Sequence, residues 1–374
     1  MTRPQRHSGV SWLALAYLVL VGYASLYPFS PWDWPDGLRA WDALQLDWPR
    51  YWSRFDVWAN ALGYAPMGLL VFTAVWRSGG SGWLALAAGA LLPALAAYSF
   101  EVAQRFVALR VPSLADLALN SGGALLGALL AGAAAHRGWL DRWGQWRERW
   151  FSPQSAGALA LLTLWPLGLL FPLPAPLAQG QFLPPLLTMV EEVLLARGWL
   201  GLPLQLPAGG GPLEQAAATT LGLLGPCLLL LAVARPGWHR VPLLLGLLAI
   251  GLGMSALSTA LSFGPPNAWS WLTPRTGPAL AFALALALLC ALLPARANAV
   301  LALPVLTGLV LLVARMDPDP FYMLNLQRWA HGPRVQLYGL LQWLGWLWPL
   351  LSMAWLMRGL ASGTDPGLRF RRSR

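Results

Sequence analysis

Ser113-Leu114-Ala115-Asp116-Leu117-Ala118-Leu119-Asn120-Ser121-Gly122-Gly123-Ala124-Leu125-Leu126-Gly127 opens an apolar run that continues to Ala135. The pattern is that of a membrane-spanning helix with a polar entrance. Asp116 and Asn120 are four residues apart and share a helix face. Asn120, Gly123 and Gly127 lie along one side, and the Gly123-x-x-x-Gly127 spacing lets a neighbouring helix approach closely. Pro112-Ser113-Leu114-Ala115-Asp116 reads as a helix entry with Asp116 as a candidate cap.

The whole chain shares this apolar character. Of its 374 residues, 57% are hydrophobic and only 11% are charged, against roughly 25% charged in a soluble domain. The apolar residues come in runs of about 15 to 23, near the roughly 20 that span a bilayer as helix. The fold class is therefore all-α, a polytopic helical membrane protein. About ten spans are expected, at 10–28, 57–76, 83–100, 117–135, 156–173, 216–234, 241–262, 278–293, 298–314 and 335–357. A basic start precedes the first span, but Tyr27-Pro28 stands where a small-residue cleavage site would be, so this span reads as a retained helix.

All 25 basic residues are Arg. With the N-terminus in the cytoplasm, 15 of the 25 fall inside, most densely in the loop His136–Trp150 and the tail Arg369–Arg374. Of the acidic residues only Asp141, Glu148 and Asp365 fall inside. The arginine bias predicts both termini on the cytoplasmic side. Topology thus explains the net charge of +10, and no nucleic-acid partner is expected. Cys227 and Cys290 lie within spans and read as buried thiols, with no disulfide framework implied.

The first outside loop, about 29–55, is rich in Trp and Asp. Trp favours the headgroup zone, so the loop reads as an interfacial segment or as a platform for a lipid headgroup or sugar. A second outside loop, about 174–215, holds Val190–Arg197, suited to a short amphipathic surface helix. Gly209-Gly210-Gly211-Pro212 after it is a flexible joint without a P-loop pattern, and no cofactor is expected. A further polar patch, Met316-Asp317-Pro318-Asp319-Pro320 with Arg328, His331 and Arg334, reads as a solvated loop.

The chain also reads as a duplication. Span 1 ends Leu26-Tyr27-Pro28-Phe29-Ser30-Pro31 and span 5 ends Leu170-Phe171-Pro172-Leu173-Pro174, each followed by an outside loop and three spans. Four spans per copy gives both copies the same orientation, a parallel repeat about an axis along the membrane normal. The expected domains are residues 10–135, a degenerate second copy at 156–293, and two additional helices at 298–357. In the second copy Ser258 stands near the place of Glu101, Thr273 near that of Asp116, and Thr276-Gly277 near that of Asn120.

Polar groups concentrate in the first copy. Asp56 and Asn60 open span 2, Glu101, Gln104 and Arg105 close span 3, and Arg110, Ser113, Asp116 and Asn120 surround the entry of span 4. Ionisable groups at membrane depth are costly unless paired or hydrated. In one reading the carboxylates Asp56, Glu101 and Asp116 pair with Arg54, Arg105 and Arg110 to fix helix packing. In the other, the polar faces converge on an outward pocket for a polar headgroup. Arg105 and Arg110 would then grip phosphate or carboxylate, and Glu101 or Asp116 would act as general acid or base. Ser113 and Ser121 have no nearby His, and His7, His136, His239 and His331 are too scattered for a metal site or a catalytic triad.

These residues carry a family resemblance. Asp56-x-x-x-Asn60-x-x-Gly63-x-x-Pro66-x-Gly68, then Glu101-x-x-Gln104, then Arg110-x-x-Ser113-x-x-Asp116-x-x-x-Asn120-x-x-Gly123-x-x-x-Gly127 resembles the VanZ-like family, as does the Tyr27-Pro28-Phe29 ending of span 1. The likeness covers about 10–135 and, weakly, 156–293. One departure is Val57-Trp58-Ala59-Asn60, where family members often carry a His or Lys. The resemblance implies a multi-pass protein of the bacterial inner membrane that acts at the outer face of the envelope. It links the chain with teicoplanin resistance or surface polysaccharide, with membrane lipids or lipid-linked saccharide headgroups as partners, and supplies no reaction. Two alternatives stand beside a headgroup-binding envelope factor. One is a transporter or flippase of envelope precursors, disfavoured by the lack of an ionisable residue at the midplane of any span. The other is a non-catalytic membrane scaffold.

Overall fold

The computed structural model describes residues 9–27, 29, 32–49, 54–107, 110–199, 209–316, 323–324, 327 and 335–362, apart from the side chains of residues 9, 12, 54–56 and 335–338. The polar patch expected at 317–334 therefore lies outside the described residues, apart from isolated positions. Among the described residues there are twelve helices and no strand. They are α1 (Gly9–Leu26), α2 (Arg54–Arg77), α3 (Gly82–Gln104), α4 (Leu114–His136), α5 (Trp139–Trp150), α6 (Ala156–Gly168), α7 (Leu183–Ala196), α8 (Pro212–Val233), α9 (Arg240–Phe263), α10 (Thr276–Cys290), α11 (Ala295–Arg315) and α12 (Val335–Ala361). All ten expected spans fall on helices. Seven are long and apolar enough to cross a membrane, within α2, α3, α4, α8, α9, α11 and α12, whereas α1, α6 and α10 carry shorter apolar segments. The chain is a multi-pass helical membrane protein.

Two segments read as loops behave differently. The basic stretch after α4 forms α5, whose Trp139, Trp143, Trp146 and Trp150 repeat at three- and four-residue spacing beside Arg142, Arg147 and Arg149. This is the pattern of a helix lying in the membrane interface. The expected span 156–173 stops as a helix at Gly168, and the chain from Leu169 to Gln181 is irregular and largely buried rather than an exposed loop. Pro172, Pro174 and Pro176 lack N–H groups, which reduces the number of backbone donors a buried irregular segment must satisfy. The rest is tied down by neighbours: the Gly180 N–H donates to Gly345 O at 3.0 Å, Gln179 Nε2 to Trp165 O at 2.8 Å and Ser258 Oγ to Leu170 O at 2.9 Å. The surface helix expected at 190–197 is longer and begins at Leu183.

The chain forms two compact units, Met1–Trp146 and Arg147–Arg374. In the second, α8 is the most buried candidate span, as expected of a helix apolar on every side. The two C-terminal helices are part of this unit rather than a separate one, with α11 along α8 and α12 along α6. Arg240, at 1% exposure, donates to Arg235 O, Leu231 O, Ala234 O, Ala291 O and Leu293 O, so one guanidinium gathers the ends of α8 and α10 around the start of α9.

In the first unit α2 and α4 touch through backbone. A Cβ at Gly127 would stand 1.8 Å from Ala65 O, one at Gly123 2.1 Å from Ala61 O, and one at Gly68 1.9 Å from Ala124 O. No side chain fits at these three positions without separating the helices. Gly127→Val is expected to cost at least about 1–3 kcal/mol through overpacking, read as a lower unfolding temperature in detergent. Gly122→Ala, where nothing lies within 4 Å of the added carbon, should leave that temperature unchanged or raised.

Candidate functional site

The α2–α4 contact brings the polar ends of three helices together. Asn60 Nδ2 on α2 donates to Asp116 Oδ1 on α4 at 2.7 Å. Glu101, 4% exposed in the last turn of α3, accepts the Ser113 N–H on Oε2 at 2.8 Å. Ser113 caps α4, its Oγ accepting the Asp116 N–H at 3.3 Å. Capping thus falls to Ser113, which leaves the Asp116 carboxylate for Asn60. Glu101 lies within electrostatic reach of both Asp116 and Arg110. Asn120 is 4% exposed on the same helix as Asp116, and its Oδ1 has no hydrogen-bond partner. Asp56 sits on α2 four residues before Asn60, but its side chain lies outside the described residues.

The remaining candidates hold the site's surroundings in place. Gln104 Nε2 donates to Ser25 O on α1 at 3.1 Å. Arg110 donates from Nε to Tyr27 O at 2.9 Å and from an Nη to Ala24 O at 2.8 Å, capping the carbonyl end of α1. Burial pulls the Arg110 guanidinium below its ordinary pKa, and the Glu101 carboxylate opposes that shift. Arg105 donates to Gln45 O of the Trp-rich loop. Among the described residues both arginines bond backbone carbonyls, and the Arg54 and Asp56 side chains of the expected salt-bridge network lie outside the described residues.

The Trp-rich loop folds back over this end of the unit. Asp33 N–H donates to Phe106 O at 2.9 Å, Leu44 O accepts the Tyr98 hydroxyl at 2.8 Å, and Asp47 O accepts the Leu114 N–H at 2.9 Å, satisfying a donor at the start of α4. Trp34 packs on Phe106 at 5.0 Å between centroids, whereas Trp41 and Trp48 stay exposed.

Two tyrosines join the site without having been anticipated. The Tyr17 hydroxyl donates to Gly63 O at 2.7 Å and links α1 to α2. Tyr64 is buried, its phenolic oxygen lacks a well-formed hydrogen bond, and Ser25 and Glu101 are among its neighbours. Tyr64 follows Asn60 by four residues and therefore shares its face, a signal present in the sequence. Tyr17 carries no such signal, because its partner is a backbone carbonyl on another helix.

The sequence model of the VanZ/LLP1 family matches residues 13–135. That segment, which holds most of α1, all of α2 and α3, nearly all of α4 and the residues of the site, is similar to the VanZ/LLP1 family. Comparison with curated proteins and with solved structures found no match.

Arg110→Met removes both bonds to the end of α1 and the positive charge that faces Glu101. It is expected to lower stability by about 1–3 kcal/mol, seen as a reduced unfolding temperature and faster proteolysis near residue 27. Arg110→Lys should recover only part of the loss, since a lysine cannot span two carbonyls with a planar fork.

Proposed function

We propose that the first unit is the working part of a VanZ-like envelope factor, and that its polar end binds the headgroup of a lipid-linked saccharide or glycolipid at the outer face of the bacterial inner membrane. In this reading Glu101 and Asp116 act as the acid–base pair. Asp56, Asn60, Gln104, Arg105, Arg110, Ser113 and Asn120 form or support the binding wall. The observation that carries the proposal is the pairing of two carboxylates in electrostatic reach of each other at one end of the helices, beside a buried acceptor with no partner, Asn120 Oδ1. Two carboxylates in each other's field are costly at a membrane boundary even with Arg110 nearby, and an unpartnered buried polar atom calls for a ligand or water. The similarity of residues 13–135 to the VanZ/LLP1 family supports reading this unit as the VanZ-like part of the chain, and the proposed readout is glycopeptide sensitivity or surface polymers.

The arginines support this reading in a restricted form. Their bonds to carbonyls of α1 and the Trp-rich loop make them holders of the site's frame. Recognition then falls more to the carboxylates and amides, whose hydrogen-bonding capacity suits the hydroxyls of a sugar. The exposed Trp41 and Trp48 would hold the loop at the headgroup level.

The amide isosteres Glu101→Gln and Asp116→Asn separate chemistry from packing. Each keeps an oxygen that accepts the existing bond, from the Ser113 N–H and from Asn60 respectively, and removes only the charge and the titratable proton. In a Gram-positive host, the wild type is expected to raise the teicoplanin concentration tolerated. Both variants, at membrane levels matched by immunoblot, should return it to the vector-only value. Protection that survives both changes would reduce the cluster to a packing element.

A further inference from the structure

The second unit contains a cavity of about 270 Å³ between the buried irregular segment after α6, the first turns of α8, the last turns of α9 and the turn leading into α10. It is independent of the site in the first unit. Its size lies just under the roughly 300–1,000 Å³ usual for small-molecule sites, which suits a single ring or headgroup rather than a chain. Its walls contain no carboxylate, and hydroxyls dominate their polar part.

Those hydroxyls have largely committed their protons to the protein. Thr219 Oγ1 donates to Gln215 O at 2.9 Å, Ser258 Oγ to Leu170 O at 2.9 Å and Thr259 Oγ1 to Ser255 O at 3.0 Å. Thr273 and Thr276 share a hydrogen bond at 2.9 Å. A hydroxyl that has donated retains lone pairs to accept, so the wall is rich in acceptors. The lining also holds donors in Gln215, Arg275 and Trp271, and of these the Trp271 Nε1 is buried and has no partner. Apolar surface completes the wall, from Pro172, Pro174, Pro176 and the indole itself. Leu177, with φ of 62°, holds the segment in a left-handed conformation that a side chain adopts at a cost, so the cavity wall is shaped against local preference.

We infer that this cavity is a binding site for a small, uncharged, multiply hydroxylated ring, the chemistry shared by a glycolipid's hexosyl headgroup and a free hexose. Such a ring donates its hydroxyl protons to the committed Ser and Thr oxygens. One of its oxygens accepts the Trp271 N–H, and its apolar face lies on indole and proline rings. An anion is disfavoured because the acceptor wall repels it and the single lining cation, Arg275, is exposed. A metal ion is disfavoured because the lining supplies no carboxylate, His or Cys.

The test uses the full chain in nanodiscs of phosphatidylethanolamine and phosphatidylglycerol, prepared without glucoside or maltoside detergents, which would compete. Native mass spectrometry compares retention of monoglucosyldiacylglycerol with that of diacylglycerol of the same chains. The expected result is preferential retention of the glucosyl lipid, reduced roughly fivefold to tenfold by Trp271→Phe, which keeps the ring and removes the donor. Ser258→Leu, which fills the cavity, should abolish the Trp271-dependent part of the preference, and Gly122→Ala, which lies in neither site and has open space around the added carbon, should leave the preference intact. Methyl glucoside that displaces the lipid would identify a soluble sugar as a sufficient ligand, and failure to displace would identify the lipid-borne headgroup; either supports the site. Equal retention of the two lipids by the wild type, or a preference that Trp271→Phe leaves unchanged, overturns the proposal. Loss of preference in Glu101→Gln alone would move glycolipid binding to the first unit.

Discussion

The backbone contact between α2 and α4 sets the geometry on which the first unit's polar end depends. Gly68, Gly123 and Gly127 remove the side chains that would hold these helices apart, and the carbonyls of Ala61, Ala65 and Ala124 occupy the vacated space. In a bilayer, where lipid tails are as apolar as the helices, close packing of small residues is a principal source of helix association. The consequence is chemical as well as mechanical. Asn60 and Asp116 extend from adjacent backbones and meet at 2.7 Å. A longer interaxial distance would leave that carboxylate without its amide, at a cost greater than the bond itself contributes.

The chain handles its buried charges by two different rules. Arg110 and Arg240 are spent on backbone carbonyls at helix ends, where the helix supplies oxygens that have no intrahelical donor. Each replaces several separate caps with one rigid fork, so positive charge at the membrane boundary also fixes where helices stop. The carboxylates are treated otherwise. Glu101 and Asp116 accept bonds from Ser113 and Asn60 and remain in each other's field. Charge used as cap in one case and held in proximity in the other is the distinction on which the functional reading of the first unit rests.

The second unit handles polarity differently. The cavity in it is lined by hydroxyls and no carboxylate, and several hydroxyls of the unit are bonded within their own helix to the carbonyl four residues earlier. A hydroxyl satisfied in this way can lie in an apolar helix without a partner on another element. The alternating prolines at 172, 174 and 176 do the same for an irregular backbone by deleting donors. The unit can therefore bury a non-helical segment and still line a cavity with acceptors.

How much of this was legible in the sequence follows from the range of the forces involved. Helix positions were set by runs of apolar residues, a local property, and every expected span falls on a helix. The pairing faces of Asp116–Asn120 and Glu101–Gln104, and the close-approach stripe at Gly123 and Gly127, follow from helical periodicity alone. The partners of Arg105 and Arg110 were not legible, because a backbone carbonyl is present at every residue and only tertiary proximity selects one. Salt bridges with nearby carboxylates were the natural sequence reading, yet the carbonyls at the end of α1 lie closer. The same reason hid Tyr17 and the fivefold carbonyl contacts of Arg240. Residues 169–173 read as the end of a span and 174 onward as an outside loop, yet the whole stretch from Leu169 to Gln181 is irregular and largely buried. Its burial depended on α8, α9, α11 and α12 closing around it, which no local pattern encodes. Sequence determined which segments are helical and which face of each is polar; tertiary structure decided which polar groups meet, because that depends on how closely two backbones can approach.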